Sequence, residues 1–73
     1  MYAANSDADG NVSQGEKAFK LGLRDPEAVR AYHLKWNRGI AADYHFASGY
    51  KAAAKAANMP YDDVLQALRL VYR

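Results

Sequence analysis

A chain of 73 residues is enough for one small domain, and a domain of this size buries only about 60% of the surface its unfolded chain exposes. It has no cysteine, which excludes a disulfide framework and any thiolate-held zinc or iron–sulfur site, so packed helices or an oligomer must supply the stability. Hydrophobic residues at 51% and aromatics at 12% are too many for an intrinsically disordered chain, and no apolar run approaches the roughly 18 residues that span a bilayer. The first residues, Met1 to Asp7, lack the basic and apolar regions of a secretory leader, so a soluble, cytoplasmic protein is expected. The net charge of +2 hides a segregation. Residues 1–16 hold Asp7, Asp9 and Glu16 with no Lys or Arg, which gives −3, and residues 17–73 hold all 10 basic residues against five acids, which gives +5. An acidic segment on a basic body points to a body that meets polyanions, or to a solvated surface guarded by its tail.

In chain order, residues 1–12 read as a flexible acidic tail, because Asn5, Ser6, Asp7, Asp9, Gly10 and Asn11 are crowded turn formers. Residues 13–73 read as a single helical domain. Ser13 to Glu16 fits a capping box, so helix 1 is expected from about Gln14 to Leu23, with Ala18, Phe19 and Leu23 apolar, Val12 as a staple, and Gly15 and Gly22 weakening it. Asp25-Pro26-Glu27 is a strong start for helix 2: Asp25 caps, Pro26 suits the first position and Glu27 favours the positive helix end. Val29, Tyr32, His33, Trp36 and Ile40 form one stripe, and Asn37-Arg38-Gly39 ends the helix. Ile40 to Ala57 is Ala-rich and helical, with Ser48-Gly49 as a point of division. Asn58-Met59-Pro60 breaks it, and Asp62 and Asp63 open a last helix with Val64, Leu65, Leu68, Val71 and Tyr72 as its buried stripe. Nothing alternates as a strand does. The expected fold is an all-α bundle of three to four helices with a helix-turn-helix-like C-terminal half and a disordered N-terminal tail.

Residues 50–68 resemble a helix-turn-helix unit. Ala53 or Ala54 supplies the small residue where two helices cross, Asn58 tolerates positive φ, Met59 plugs the core, Pro60 starts the second helix, and Val64 and Leu68 anchor it. An ordinary αα-hairpin uses the same physics. A DNA reader would present Tyr61, Asp62, Asp63 and Gln66 to the major groove. Gln66 and Arg69 suit DNA, whereas two adjacent carboxylates are repelled by phosphate walls, so docking on protein is the favoured use of the unit.

Basic residues recur on helix faces. Lys17, Lys20 and Arg24 share one face of helix 1, Arg30, Lys35 and Arg38 lie on helix 2, and Lys51 and Lys55 form an i, i+4 pair. Such faces follow a nucleic-acid backbone or an acidic protein surface. Tyr32, Trp36, Tyr44 and Tyr50 are candidates for stacking on bases, although Tyr32 and Trp36 have the spacing of core residues. Residues 5–16 also meet the twelve-position EF-hand pattern, with Asn5, Asp7, Asp9, Asn11, Ser13 and Glu16 at ligand positions and Gly10 at the turn. No helix precedes this loop, no partner loop exists, and the capping box explains Ser13 and Glu16 equally well. Enzyme signals are absent. His33 and His45 have no matching acid or nucleophile, His33 reads as a satisfied core histidine, and Ser6, Ser13 and Ser48 sit in no nucleophile motif. No cofactor is expected.

With its basic face Lys17, Lys20 and Arg24 and its segment from Tyr50 to Leu68, the chain resembles the small helical regulators that lytic bacteriophages of plant-pathogenic bacteria turn on host RNA polymerase. The resemblance implies binding near the RNA exit channel, displacement of the promoter-specificity factor and antitermination, with host RNA polymerase as partner and nascent RNA or DNA nearby. The mechanism would be occupancy rather than catalysis, using Lys17, Lys20, Arg24, Arg30, Lys35, Arg38, Lys51, Lys55, Tyr61, Asp62, Asp63, Gln66 and Arg69. A DNA-binding repressor or excision factor, and a calcium-responsive module, are the alternatives.

Overall fold

The computed structural model describes residues 3–36 and 42–72, with side chains from Gly10 onward. The described residues form four helices in the order α1 (Ala3–Lys20), α2 (Pro26–Trp36), α3 (Ala42–Ala56) and α4 (Tyr61–Ala67), and hold no strand. The all-α bundle is therefore the fold. No described helix is long and apolar enough to cross a membrane.

Two of the helix boundaries sit where local chemistry puts them. The Asp25 carboxylate accepts hydrogen bonds from the amides of Glu27 and Ala28, each at 3.1 Å, and starts α2 as a side-chain cap. At the end of α3, Asn58 takes φ 62°, the Met59 amide donates to the Ala54 carbonyl and the Asn58 amide donates to that of Lys55. That pair of bonds is the Schellman closure, and it lets Pro60 begin α4.

α1 differs from expectation at both ends. It is helical from Ala3, so the segment expected as a tail through residue 12 joins the helix, and Ser13 lies in its interior rather than capping it. The reason is tertiary. Asn11 is buried and Val12 lies directly against α3, so packing holds these two residues in helical geometry. At the other end α1 stops at Lys20, not Leu23, because Gly22 adopts φ 87° and the Leu23 amide reaches back to the Ala18 carbonyl. Gly22 is thus a terminator.

The expected division of α3 at Ser48-Gly49 does not occur. Gly49 is buried where α1 crosses, and an added Cβ would overlap the Val12 carbonyl; Gly15 meets α3 in the same way at the Phe46 carbonyl and the Tyr50 amide. The two glycines let the α1 and α3 backbones touch. Around this crossing lie Ala18, Phe19, Phe46, Ala47, Tyr50 and Ala54, and α2, α4 and the turns after α4 close the core with Val29, Val64, Leu68 and Val71. Full burial of each larger apolar side chain contributes about 1.5–3 kcal/mol. Within the expected last stripe Val64, Leu68 and Val71 are buried, but Leu65 is exposed because it lies about 100° round α4 from Val64, and Tyr72 is exposed in the turns that follow Ala67. Ile40, placed on the stripe of the second helix, and the expected end signal at residues 37–39 lie outside the described residues.

Candidate functional site

One face of α3 is committed to the core by Phe46, Ala47, Tyr50 and Ala54. Helical periodicity then places Tyr44, Ser48, Lys51 and Lys55 together on another stripe. The Asn58 turn brings α4 back beside the end of this stripe, so that Tyr61 and Val64 face Lys51 and Lys55 across an open groove of about 610 Å³ floored by Met59. The Lys51 ammonium lies 5.1 Å from the centroid of the Tyr72 ring, within cation–π range. Its pKa is raised above the ordinary lysine value, first by a hydrogen bond with Tyr72, with Tyr61 and Tyr44 adding to the effect and partial desolvation opposing it. Tyr61 lines the groove with Lys51, and Tyr44 lies two turns earlier on the same stripe of α3. The three tyrosines are open to solvent: Tyr44 is 69% exposed, Tyr61 64% and Tyr72 47%. Lys55 is exposed as well.

The carboxylates at the head of α4 are exposed in its first turn, where they complement the helix dipole. Asp63 and Gln66 line a separate depression of about 410 Å³ with Arg24 and Met59. Asp62 and Arg69 are exposed on the same short helix and the turn after it.

The remaining expected site residues do not join this groove. Lys17 and Lys20 are exposed on α1. Arg24 leaves their expected common face because α1 has already ended: its guanidinium stacks 3.8 Å above the Phe19 ring and donates to the carbonyls of Phe19 at 2.8 Å and Leu23 at 3.0 Å. Arg30 donates to the Leu70 carbonyl at 2.5 Å and ties α2 to the C-terminal turns. Both arginines serve the fold. Lys35 is exposed, 5.6 Å from the Trp36 ring centroid, and Arg38 lies outside the described residues. The twelve residues of the EF-hand pattern all lie in α1, where backbone carbonyls run along the helix axis instead of converging, so the calcium loop is not formed.

His33 is buried and pairs with an acid that the sequence spacing did not reveal. Its Nε2 lies 2.5 Å from Asp43 Oδ1, and its ring lies 4.5 Å from that of Phe46. Nearby, the half-buried Tyr32 donates to Gln14 Oε1 at 2.7 Å, and burial raises its phenol pKa. Tyr50 is fully buried and donates to the Leu23 carbonyl at 2.5 Å; burial raises its pKa and Arg24 partly opposes this. These groups stitch helices together, and neither Tyr32 nor Tyr50 is a stacking platform. Sequence reasoning missed Tyr72 and Met59 as groove residues. Tyr72 falls at helical spacing with Leu68 and so reads as core; its exposure follows from the end of α4 four residues after Asp63.

Comparison with protein-family models, with curated proteins and with solved structures found no match.

Proposed function

We propose that this chain is a non-enzymatic transcription regulator of the phage type, acting by docking on bacterial RNA polymerase and thereby inhibiting initiation and favouring antitermination. The observation that carries the reading is the convergence of Lys51, Lys55, Tyr44, Tyr61 and Tyr72 on the α3–α4 face, beside a helix tip that bears Asp62 and Asp63. Exposed aromatic rings beside cationic side chains are what macromolecular contacts use as anchors. A seven-residue α4 with two leading carboxylates is poorly suited to the phosphate walls of a major groove. The mode of action is occupancy of a surface that another factor needs.

Purified bacterial RNA polymerase passed over the immobilised protein tests this. Retention is expected, with loss in Lys51→Glu and Tyr61→Ala. If wild-type protein retains no polymerase, the proposal fails. The DNA-reading alternative is separated by a gel shift with duplex DNA: a sequence-specific, steeply salt-dependent shift that Asp62→Ser with Asp63→Ser strengthens is expected only if α4 enters a groove.

A further inference from the structure

The α3–α4 face has a chemical bias that a protein partner alone does not require. Tyr61 shares a groove with Lys51 and Lys55, the Tyr72 ring lies 5.1 Å from the Lys51 ammonium, and Tyr44 lies on the same stripe of α3, each of the three tyrosines being between 47% and 69% exposed. The rings come from three different places in the chain, Tyr44 on α3, Tyr61 at the start of α4 and Tyr72 beyond its end. Tyr44 and Lys51 are separated by seven residues of one helix, about 10 Å along its axis, so Tyr44 lies beyond the end of the groove. Asp63 lines the adjoining depression with Arg24 and Gln66 and is not among the residues of the lysine groove.

We propose that this face binds single-stranded nucleic acid, with bases stacked on Tyr44, Tyr61 and Tyr72 and phosphates held by Lys51 and Lys55. Stacking platforms interleaved with cations are the common chemistry of sequence-tolerant single-strand binding, because every base presents a π-face and every linkage a negative charge. Charge complementarity selects a polyanion, and the exposed rings select one with unstacked bases. A duplex keeps its bases stacked inside and offers the rings nothing. An acidic polypeptide satisfies the lysines but not the platform. The proposal rests on the reading of the α3–α4 face as the working surface, but not on the identity of the polymerase.

The test is a fluorescence-anisotropy titration of the full chain against a short labelled oligouridylate, the matching duplex and poly-L-glutamate. The single strand is expected to bind more tightly than either competitor. Tyr61→Ala and Tyr72→Ala should each weaken it by about fivefold to a hundredfold, the range for loss of one stacked base. Tyr61→Phe and Tyr72→Phe, which keep the rings, should restore it. Two phosphate contacts give a slope near −1.4 for log K against log salt, and Lys51→Gln should halve it to about −0.7. Binding that is absent, equal for duplex or poly-L-glutamate, or indifferent to the Tyr→Ala changes would overturn the proposal. Retention of polymerase in the column experiment without oligonucleotide binding leaves the docking reading standing and removes this one; oligonucleotide binding without polymerase retention does the reverse.

Discussion

Gly49→Ala sets helix propensity against the geometry of the α1–α3 crossing, and the two disagree in sign. In an isolated helix the change stabilises by about 1 kcal/mol, because glycine loses more backbone freedom than alanine. In the fold the new Cβ would overlap the Val12 carbonyl and lie 2.8 Å from its carbon, both backbone atoms that no rotamer can move aside. The helices must separate, loosening Phe19, Phe46 and Tyr50 around them. Overpacking of this kind costs typically 1–3 kcal/mol, and the upper end applies where backbone must shift. A net loss of about 2 kcal/mol remains after the propensity gain. That is a large part of the about 4–11 kcal/mol available to a chain this long, and it lowers Tm by about 8–16 °C. Gly15→Ala should behave alike, since its Cβ would meet the Phe46 carbonyl. Gly10→Ala is the matched control: it lies within α1 with nothing within 4 Å of its Cβ, so it should gain up to about 1 kcal/mol. Thermal unfolding followed by circular dichroism reads all three. If Gly49→Ala melts at or above the wild-type temperature, the backbone contact between α1 and α3 is not as described.

Three further outcomes follow from the hydrogen-bond geometry. Asp25→Ala removes the side-chain cap of α2 and should cost about 1 kcal/mol in urea unfolding. Asn58→Ala forces a Cβ-bearing residue without a local polar compensation into left-handed geometry and should cost about 1–2 kcal/mol, while Asn58→Gly should be close to neutral. Tyr50→Phe should cost about 1 kcal/mol near neutral pH by leaving the Leu23 carbonyl without its donor. Because burial raises the Tyr50 pKa above 10.0, folding binds its proton more tightly. Its stabilisation is therefore complete below pH 10.0 and is lost as pH rises through the folded value, so stability measured against pH should fall less steeply above that point in the variant.

What was legible in the sequence is what local chemistry decides. Asp25-Pro26 marks a helix start by hydrogen bonding within one turn, and Asn58-Met59-Pro60 marks a reversal by its tolerance of positive φ. Gly15 and Gly49 carry the opposite lesson. On propensity alone they weaken or divide helices, and their use is visible only when the partner helix lies against them. The same holds for Asn11 and Val12, whose place in a helix is visible only when α3 lies against them. For the candidate site, Lys51, Lys55 and Tyr61 could be picked out by spacing and position. Tyr72 could not, since its helical register with Leu68 assigns it to the core and only the early end of α4 exposes it. Arg24 and Arg30 read as free cations because their acceptors are backbone carbonyls, which carry no mark in a sequence.

The most specific functional claim is that the α3–α4 face is a single-strand-binding surface, and amide chemical-shift mapping during titration with a short oligouridylate examines it residue by residue. Shifts concentrated at Tyr44, Lys51, Lys55, Asn58, Tyr61 and Tyr72 are expected, with α1 near Lys17 and Lys20 unmoved. Shifts centred on α1, or a spectrum unchanged at saturating oligonucleotide, would contradict it.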